Sequence, residues 1–353
     1  MIIKTLELQS ALKALRSVIP NRSTIPILEN VCFVKRQSLM IVGSDLEQYM
    51  GISIEAQDAF ECCLPYERLF KTVSSLNTLI IEFELNGTTV TITSDKSKFV
   101  LPYLSTEDYP LTPSFEYEYS LEVDANAFKG ALNLVSPFVS NDDLRPIMSA
   151  INMVVNQGTM TLYGSDGHVL VRTSIPVDSA DKLSTSVSSS MVKSLSNFKD
   201  ERLSLFISDK HFCIQGDSTV YYVRLVEGTM PNFESVWPTG DVSAVSEVMA
   251  SVLSRAVNLA TLYTDRSASL IKIAFGNGIN IEAKDIDYAT SASVKCDCDG
   301  SGEAVIGLKA TLFSAILHSM KNTIVKLTIR DKSKAVVFET PYCDGLIMPM
   351  SYD

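Results

Sequence analysis

"LELQSALKALRSVI", residues 6 to 19, places Leu8, Leu12, Leu15 and Ile19 at the spacing of one face of an α-helix. Two later stretches repeat the pattern, "LEVDANAFKGALNLV" at 121 to 135 and "VSEVMASVLSRAVNLATLY" at 245 to 263. Each reads as an amphipathic helix entered from a strand. A second helix is expected after each, in "LPYERLFKTVSSL" (64 to 76), "SVSSSMVKSLSNF" (186 to 198) and "IGLKATLFSAILHSM" (306 to 320). These three recur about 120 residues apart, the mark of an internal repeat. A pair of strands closes each unit: "TTVTITSDKSKFVLPYL" (88 to 104), "SLFISDKHFCIQGDSTVYYVRLV" (204 to 226) and "VKLTIRDKSKAVVFET" (325 to 340). Alternating β-branched and polar residues around Asp-Lys turns suit hairpins. The chain is expected to be α+β, three copies of one unit with antiparallel sheets and two helices each, bounded at 1–118, 119–240 and 241–353.

Length and composition agree with several domains. A chain of 353 residues, 46% hydrophobic, can bury a large core, and about 150 residues per domain gives two or three domains. Lys4, Glu7, Lys13 and Arg16 interrupt the N-terminal stretch, so it lacks the apolar core of a signal peptide, and no run of about 18 apolar residues offers a membrane span. A cytoplasmic protein without membrane contact is expected. The seven cysteines, at 32, 62, 63, 213, 296, 298 and 343, read as reduced core residues rather than a disulfide framework.

Formal net charge is −11, which taken alone argues against a nucleic-acid partner. The distribution reverses this. Six helical windows (9 to 22, 66 to 76, 127 to 140, 188 to 199, 248 to 263 and 309 to 323) hold eleven of the 30 basic residues but only one of the 41 acids, Glu67. Isolated Lys and Arg usually serve as solvated helix faces. Six helices that all avoid acids in an acidic chain suggest instead a basic surface that draws a polyanion where the helices meet.

Two stretches share a Gly-Ser-Asp: "YGSDGHVLV" at 163 to 171 and "IVGSDLEQYM" at 41 to 50. Asp166 and His168 could be an acid/base pair, but that chemistry needs a nucleophile, a metal or an orienting third group, and none stands nearby at a recognisable spacing. The other reading is a turn whose backbone shapes a surface. "CDCDGSGEAVIGL" from 296 imitates a calcium loop, yet its twelfth position is Leu308 rather than a bidentate Glu. It reads better as a hairpin turn. Cys296 and Cys298 lack a second close pair for zinc, and Cys62 and Cys63 would point to opposite faces of a strand. Phosphate-loop and nucleophile-elbow patterns do not occur. No metal, cofactor or catalytic residue is expected.

In order along the chain, "NRSTIPILENV" (21 to 31), "GSDLEQYM" (43 to 50), "LRPIMSAINMVV" (144 to 155), "GSDGHVLVRTSIPV" (164 to 177), "VRLVEGTMPNFESVWP" (223 to 238) and "GLIMPM" (345 to 350) resemble motifs of the bacterial sliding clamp, the beta subunit of DNA polymerase III. The resemblance implies a head-to-tail homodimeric ring of three-domain chains, with helices lining a hole for double-stranded DNA of any sequence. It implies a pocket for short linear motifs of the replicative polymerase, clamp loader and repair proteins, built from Met148, Ser165, Gly167, His168, Val169, Leu170, Pro231, Val236, Leu312, Leu346, Met348, Pro349 and Met350. Methionines suit such a surface because their thioether chains repack readily. DNA contacts would come from Lys13, Arg16, Arg22, Lys71, Arg145, Lys193, Lys199 and Arg255, and the dimer junction from Phe99 and Leu262. The chain departs from the family in having Val169 where Arg is common, in the tail Ser351, Tyr352 and Asp353, and in Asp142, Pro146 and Ile147 of the 140–147 loop. An enzyme built on Asp166 and His168, and a monomeric three-repeat scaffold, stay open as alternatives.

Overall fold

One order of elements runs through the chain three times: strand, helix, four main strands, helix, three strands, with one extra short strand between the helices in the first pass (Ala56–Gln57) and in the third (Asp299–Gly302). The structure, a computed structural model, describes residues 1–110, 116–142, 144–265, 267–320 and 322–352. In the first pass Ile2–Lys4 feeds α1 (Thr5–Leu15), then Asn30–Lys35, Leu39–Ser44, Gln48–Ile54 and Cys62–Pro65 lead to α2 (Tyr66–Ser74), followed by Ile80–Asn86, Thr89–Ser94 and Ser97–Pro102. In the second, Tyr119–Asp124 feeds α3 (Ala125–Val135). Strands Ala150–Asn156, Thr159–Ser165, Val169–Pro176 and Leu183–Ser188 lead to α4 (Met191–Leu195), then Arg202–Ile207, His211–Gln215 and Thr219–Arg224. In the third, Ala244–Met249 feeds α5 (Ala250–Thr261). Strands Leu270–Gly276, Gly278–Asp285, Thr290–Cys296 and Ala304–Lys309 lead to α6 (Ala310–Ser319), then Ile324–Ile329, Val336–Glu339 and Asp344–Ile347.

The first helix of each repeat is amphipathic as its spacing demands, with Leu8, Leu12 and Leu15 of α1 fully buried. None of α1, α5 and α6 has a side-chain N-cap. The first amide of each first helix instead donates to a carbonyl just before the strand after the second helix: Thr5 to Leu79 (3.0 Å), Ala125 to Glu201 (2.8 Å) and Ala250 to Thr323 (2.9 Å). A backbone acceptor so placed satisfies one of the orphan donors that a cap residue would otherwise take.

The second helices start later than expected. Cys62–Pro65, Leu183–Ser188 and Ala304–Lys309 are strands, because pairing such as Asn30 with Pro65 and Leu270 with Lys309 claims the residues before each helix. Helix α4 keeps only five residues, since the Ser-rich stretch ahead of it offers no apolar face. Helix α1 also begins at Thr5 and so includes Glu7, which the basic windows left out; Glu7 pairs with Lys4 at 3.0 Å. The stretch from 296 is not a simple hairpin either, for Asp299–Gly302 pairs with Ala244–Glu247.

Two sheets carry the strands of neighbouring repeats. In an eight-stranded sheet Thr219–Arg224 lies antiparallel to Gln48–Ile54, and in a nine-stranded sheet Asp344–Ile347 lies antiparallel to Val169–Pro176. The last strand of a repeat thus joins the same inner strand of the repeat before it, twice. The remaining sheets end on Ser97–Pro102 and on Thr290–Cys296. The chain forms two compact units, one of Met1–Lys129, Pro176–Asp181 and Val187–Val226, the other of Gly130–Ile175, Lys182–Ser186 and Glu227–Asp353. All seven cysteines are free thiols, six of them buried. Among the described residues no helix is long and apolar enough to cross a membrane.

Candidate partner pocket and nucleic-acid surface

The two Gly-Ser-Asp turns are copies of one device. Ser44 Oγ donates to the Gln48 carbonyl (2.9 Å) and accepts from Leu46 N (3.1 Å), while Asp45 Oδ1 accepts from Glu47 N (3.0 Å) and Gln48 N (2.6 Å). Ser165 Oγ donates to the Val169 carbonyl (2.7 Å) and accepts from Gly167 N (3.2 Å), while Asp166 Oδ1 accepts from His168 N and Val169 N, both at 2.8 Å. The residue at the bend is left-handed in both, Leu46 at φ 78° and Gly167 at φ 89°. Side chains of this kind mimic a backbone turn. Asp166 therefore caps a turn and His168 is exposed beside it; a repeat wrote these residues.

The turn launches Val169–Pro176, which pairs Val169 with Ile347, Leu170 with Leu346, Val171 with Gly345 and Arg172 with Asp344. Met348 N extends the ladder to the His168 carbonyl at 2.8 Å. Leu170 and Leu346 are buried in one cluster with Tyr163, Phe233 and Ala335, against which Val154, Met230 and Trp237 pack half-buried. Ser165, Gly167, His168, Leu170, Leu346 and Met348 are thus brought together. Pro231 and Val236 are exposed on the segment that supplies Phe233 and Trp237, and Pro349 and Met350 are half-buried just beyond the ladder. Met148 ends a loop in which its N–H donates to the Arg145 carbonyl, and Leu312 is half-buried on α6; neither is a member of the cluster. Val169 is 1% exposed. Neighbours on a strand face opposite ways, so the residue standing where the family commonly has Arg does not share the Leu170 face. Asp353 of the tail lies outside the described residues.

Further residues, which the sequence alone did not mark, sit on that face. Arg172 Nε donates to both carboxylate oxygens of Asp344 (3.1 and 3.0 Å) and Nη2 to Asp344 Oδ2 (2.8 Å), while Nη1 donates to both oxygens of Glu234 at 2.7 Å. Its guanidinium carbon lies 4.2 Å from the ring centre of Trp237. Tyr163 donates to Glu234 Oε1 (2.9 Å) and stacks on Phe233, ring centres 4.9 Å apart. Burial raises the Glu234 carboxyl, but the hydrogen bonds from Arg172 and Tyr163 outweigh it and hold the group below its ordinary value. Burial, with Glu234 adjacent, pushes the Tyr163 phenol up. The available signals were an Arg as the one charged residue of "VLVRTSIP" and the only Trp of the chain.

Residues 1–113 match the family described as DNA polymerase III beta subunit, N-terminal domain. Over its whole length the chain is similar to the beta sliding clamps of Chlamydia muridarum, at 23% identity covering 99% of this chain and 98% of that one, and of Pseudomonas aeruginosa, at 23% covering 98% and 99%. The chain is thus similar to beta sliding clamps from end to end. Its fold is that of the P. aeruginosa sliding clamp solved with griselimycin bound (TM-score 0.94, 19% identity, 100% of this chain and 99% of that one) and of the Bacillus subtilis clamp (TM-score 0.92, 18% identity, 100% and 99%). At such identities the family's shared fold says little about which side chains persist.

The residues expected to meet DNA are on the surface. Lys13, Arg16, Arg22, Lys71, Arg145, Lys193, Lys199 and Arg255 are all exposed. Lys71 pairs with Glu67 (2.8 Å), Arg145 with Asp142 (2.8 Å), and Arg16 lies 5.7 Å over Phe70. Lys13 and Lys199 line one open groove of about 1000 Å³ with Lys4, Glu7, Asp200 and Asp217. Of the residues expected at a chain junction, Phe99 is half-buried on Ser97–Pro102, opposite Ile92, and Leu262 at the end of α5 is 76% exposed. Leu262 is not core within its own chain.

Proposed function

We propose that the chain is a DNA polymerase processivity factor. Two copies close head to tail around duplex DNA, without reading its sequence, and hold the replicative polymerase and other proteins through the pocket at 165–170 and 346–350. The observation that carries the ring is the strand rule of the fold. The last strand of a repeat joins an inner strand of the repeat before it at two junctions, Thr219–Arg224 on Gln48–Ile54 and Asp344–Ile347 on Val169–Pro176. Continued once more, Ser97–Pro102 of the first repeat would join Thr290–Cys296 of the third, and both end their sheets. One chain holding both complementary ends forms a closed two-copy ring through two identical junctions. Repeats bounded at 1–118, 119–240 and 241–353 make this geometry regular.

DNA inside the ring would be held by exposed Lys and Arg of the helices through salt-screened phosphate contacts, weakly enough to slide. The clamp loader and repair proteins belong to the same proposal, as users of the same pocket. Native mass spectrometry tests the ring: a dimer at micromolar concentration is expected, and a monomer would leave only the scaffold or enzyme readings. Griselimycin, the ligand of the P. aeruginosa structure, tests the pocket by titration. Binding that Leu346→Ala weakens is expected, and binding insensitive to that change would place the site elsewhere.

A further inference from the structure

We propose that Arg172 is a positioning residue that latches the segment carrying Phe233 and Trp237 against the pocket floor, so that the pocket holds its binding shape before a partner arrives. This rests on the reading of 165–170 and 346–350 as the partner site. Leu170 and Arg172 share one face of their strand, as do Leu346 and Asp344 on the neighbour, because side chains alternate. The latch therefore lies one pleat repeat, about 7 Å, from the apolar cluster.

The segment needs a latch because it is outside the ladder. Its backbone bonds are local, Phe233 N to the Pro231 carbonyl (3.0 Å) and Ser235 N to the Asn232 carbonyl (3.2 Å). Side chains tie it to the sheet: Glu234 to Arg172 (2.7 Å) and Tyr163 (2.9 Å), Trp237 under the guanidinium (4.2 Å), and Phe233 on Tyr163. Glu234 immediately follows Phe233, so releasing the carboxylate loosens the wall that Phe233 and Trp237 form. An exposed ion pair alone contributes little. Here one planar fork joins two carboxylates and an indole from two other stretches of chain, a geometry that Lys could not reproduce. Fixing a site beforehand removes an ordering cost from binding.

Trp237 is the only tryptophan, so its emission reports on the latch directly. Full-length wild type, Arg172→Met and Glu234→Gln are titrated with griselimycin, following emission and heat. Arg172→Met keeps most of the stem's bulk and loses the fork; it should bind about tenfold more weakly, as expected when roughly one molecule in ten is in the competent shape. Its free form should emit further to the red than wild type and return to the wild-type spectrum at saturation, a recovery that loss of stability alone would not give. Glu234→Gln should shift affinity and emission in the same direction by less, and it decides the matter if Arg172→Met does not fold. Wild-type affinity and emission in the folded variants would overturn the latch while leaving the pocket intact. No binding by wild type would overturn both.

Discussion

Gly345→Ala and Gly130→Ala add the same methyl group with opposite expected signs. Gly345 is paired with Val171 in the ladder that joins the two halves of the pocket. A Cβ there would stand 2.2 Å from the Leu170 carbonyl oxygen and 2.3 Å from Phe338 Cζ. Ordinary contacts run near 3.5 Å, so backbone and ring would have to yield by more than about 1 Å. Overpacking costs about 1–3 kcal/mol and each weakened ladder bond about 1 kcal/mol more, giving roughly 2–4 kcal/mol. Gly130 lies in α3, and a Cβ on it meets nothing within 4 Å; alanine there gains about 0.5–1 kcal/mol of helix preference. At about 2–4 °C per kcal/mol for a unit of this size, Gly345→Ala should lower the midpoint of thermal unfolding by roughly 5–15 °C and Gly130→Ala raise it by about 1–4 °C. Circular dichroism on both variants with griselimycin titration beside it reads the outcome. A Gly345→Ala protein that melts and binds as wild type would refute the view that this close approach holds the pocket together.

Leu46 has φ 78° and is 55% exposed, so Leu46→Gly, the residue found at the matching bend Gly167, should be neutral or stabilising by up to about 1 kcal/mol; a marked drop in melting temperature would mean the side chain is needed. Glu234 titrates below its ordinary value of 4.5 in the folded chain, so its contribution is complete above the unfolded value and is lost as pH falls through the folded one. The Trp237 emission of wild type should hold steady down to about pH 4.5 and shift red only below it, whereas Glu234→Gln should show no such step. Leu262→Glu changes a residue 76% exposed, so it should leave melting within about 0.5 kcal/mol of wild type yet shift native mass toward monomer; an unchanged dimer would remove Leu262 from the junction. Lys13→Glu with Lys199→Glu should weaken loading on circular DNA and flatten its salt dependence by about 0.9 for each phosphate no longer neutralised, equally for every DNA sequence, and a sequence-dependent effect would count against sliding.

What could be read without coordinates was local. Leu8, Leu12 and Leu15 announce α1 because one helical period sorts them onto one face, and Asp95-Lys96 marks a turn because the strands on both sides alternate. The strands from Asn30 to Ile54 were harder, since "NVCFVK" and "LMIVGS" are buried almost throughout, and a continuous apolar run carries no period of its own. The pocket divides along the same line. The Ser165 to Leu170 turn is written in adjacent residues and could be matched to its copy at Ser44. The Arg172, Glu234 and Asp344 network joins positions 62 and 172 residues apart, and nothing in any one stretch signals the others. Val169 shows a further limit: its place in a motif was legible, but which way it faces depended on a strand register that only pairing with Ile347 settles.

Ser97–Pro102 and Thr290–Cys296 each finish a sheet with one row of backbone donors and acceptors turned outward. Such a row templates any strand that reaches it, including copies stacked in the wrong register. Lys98 and Lys295 are exposed on these two strands, and Pro102 closes the first with a residue that cannot donate. Charged side chains and proline on a sheet edge disfavour edge-to-edge growth. Replacing both lysines with valine should therefore leave the melting temperature almost unchanged while lowering the concentration at which the protein stays in solution.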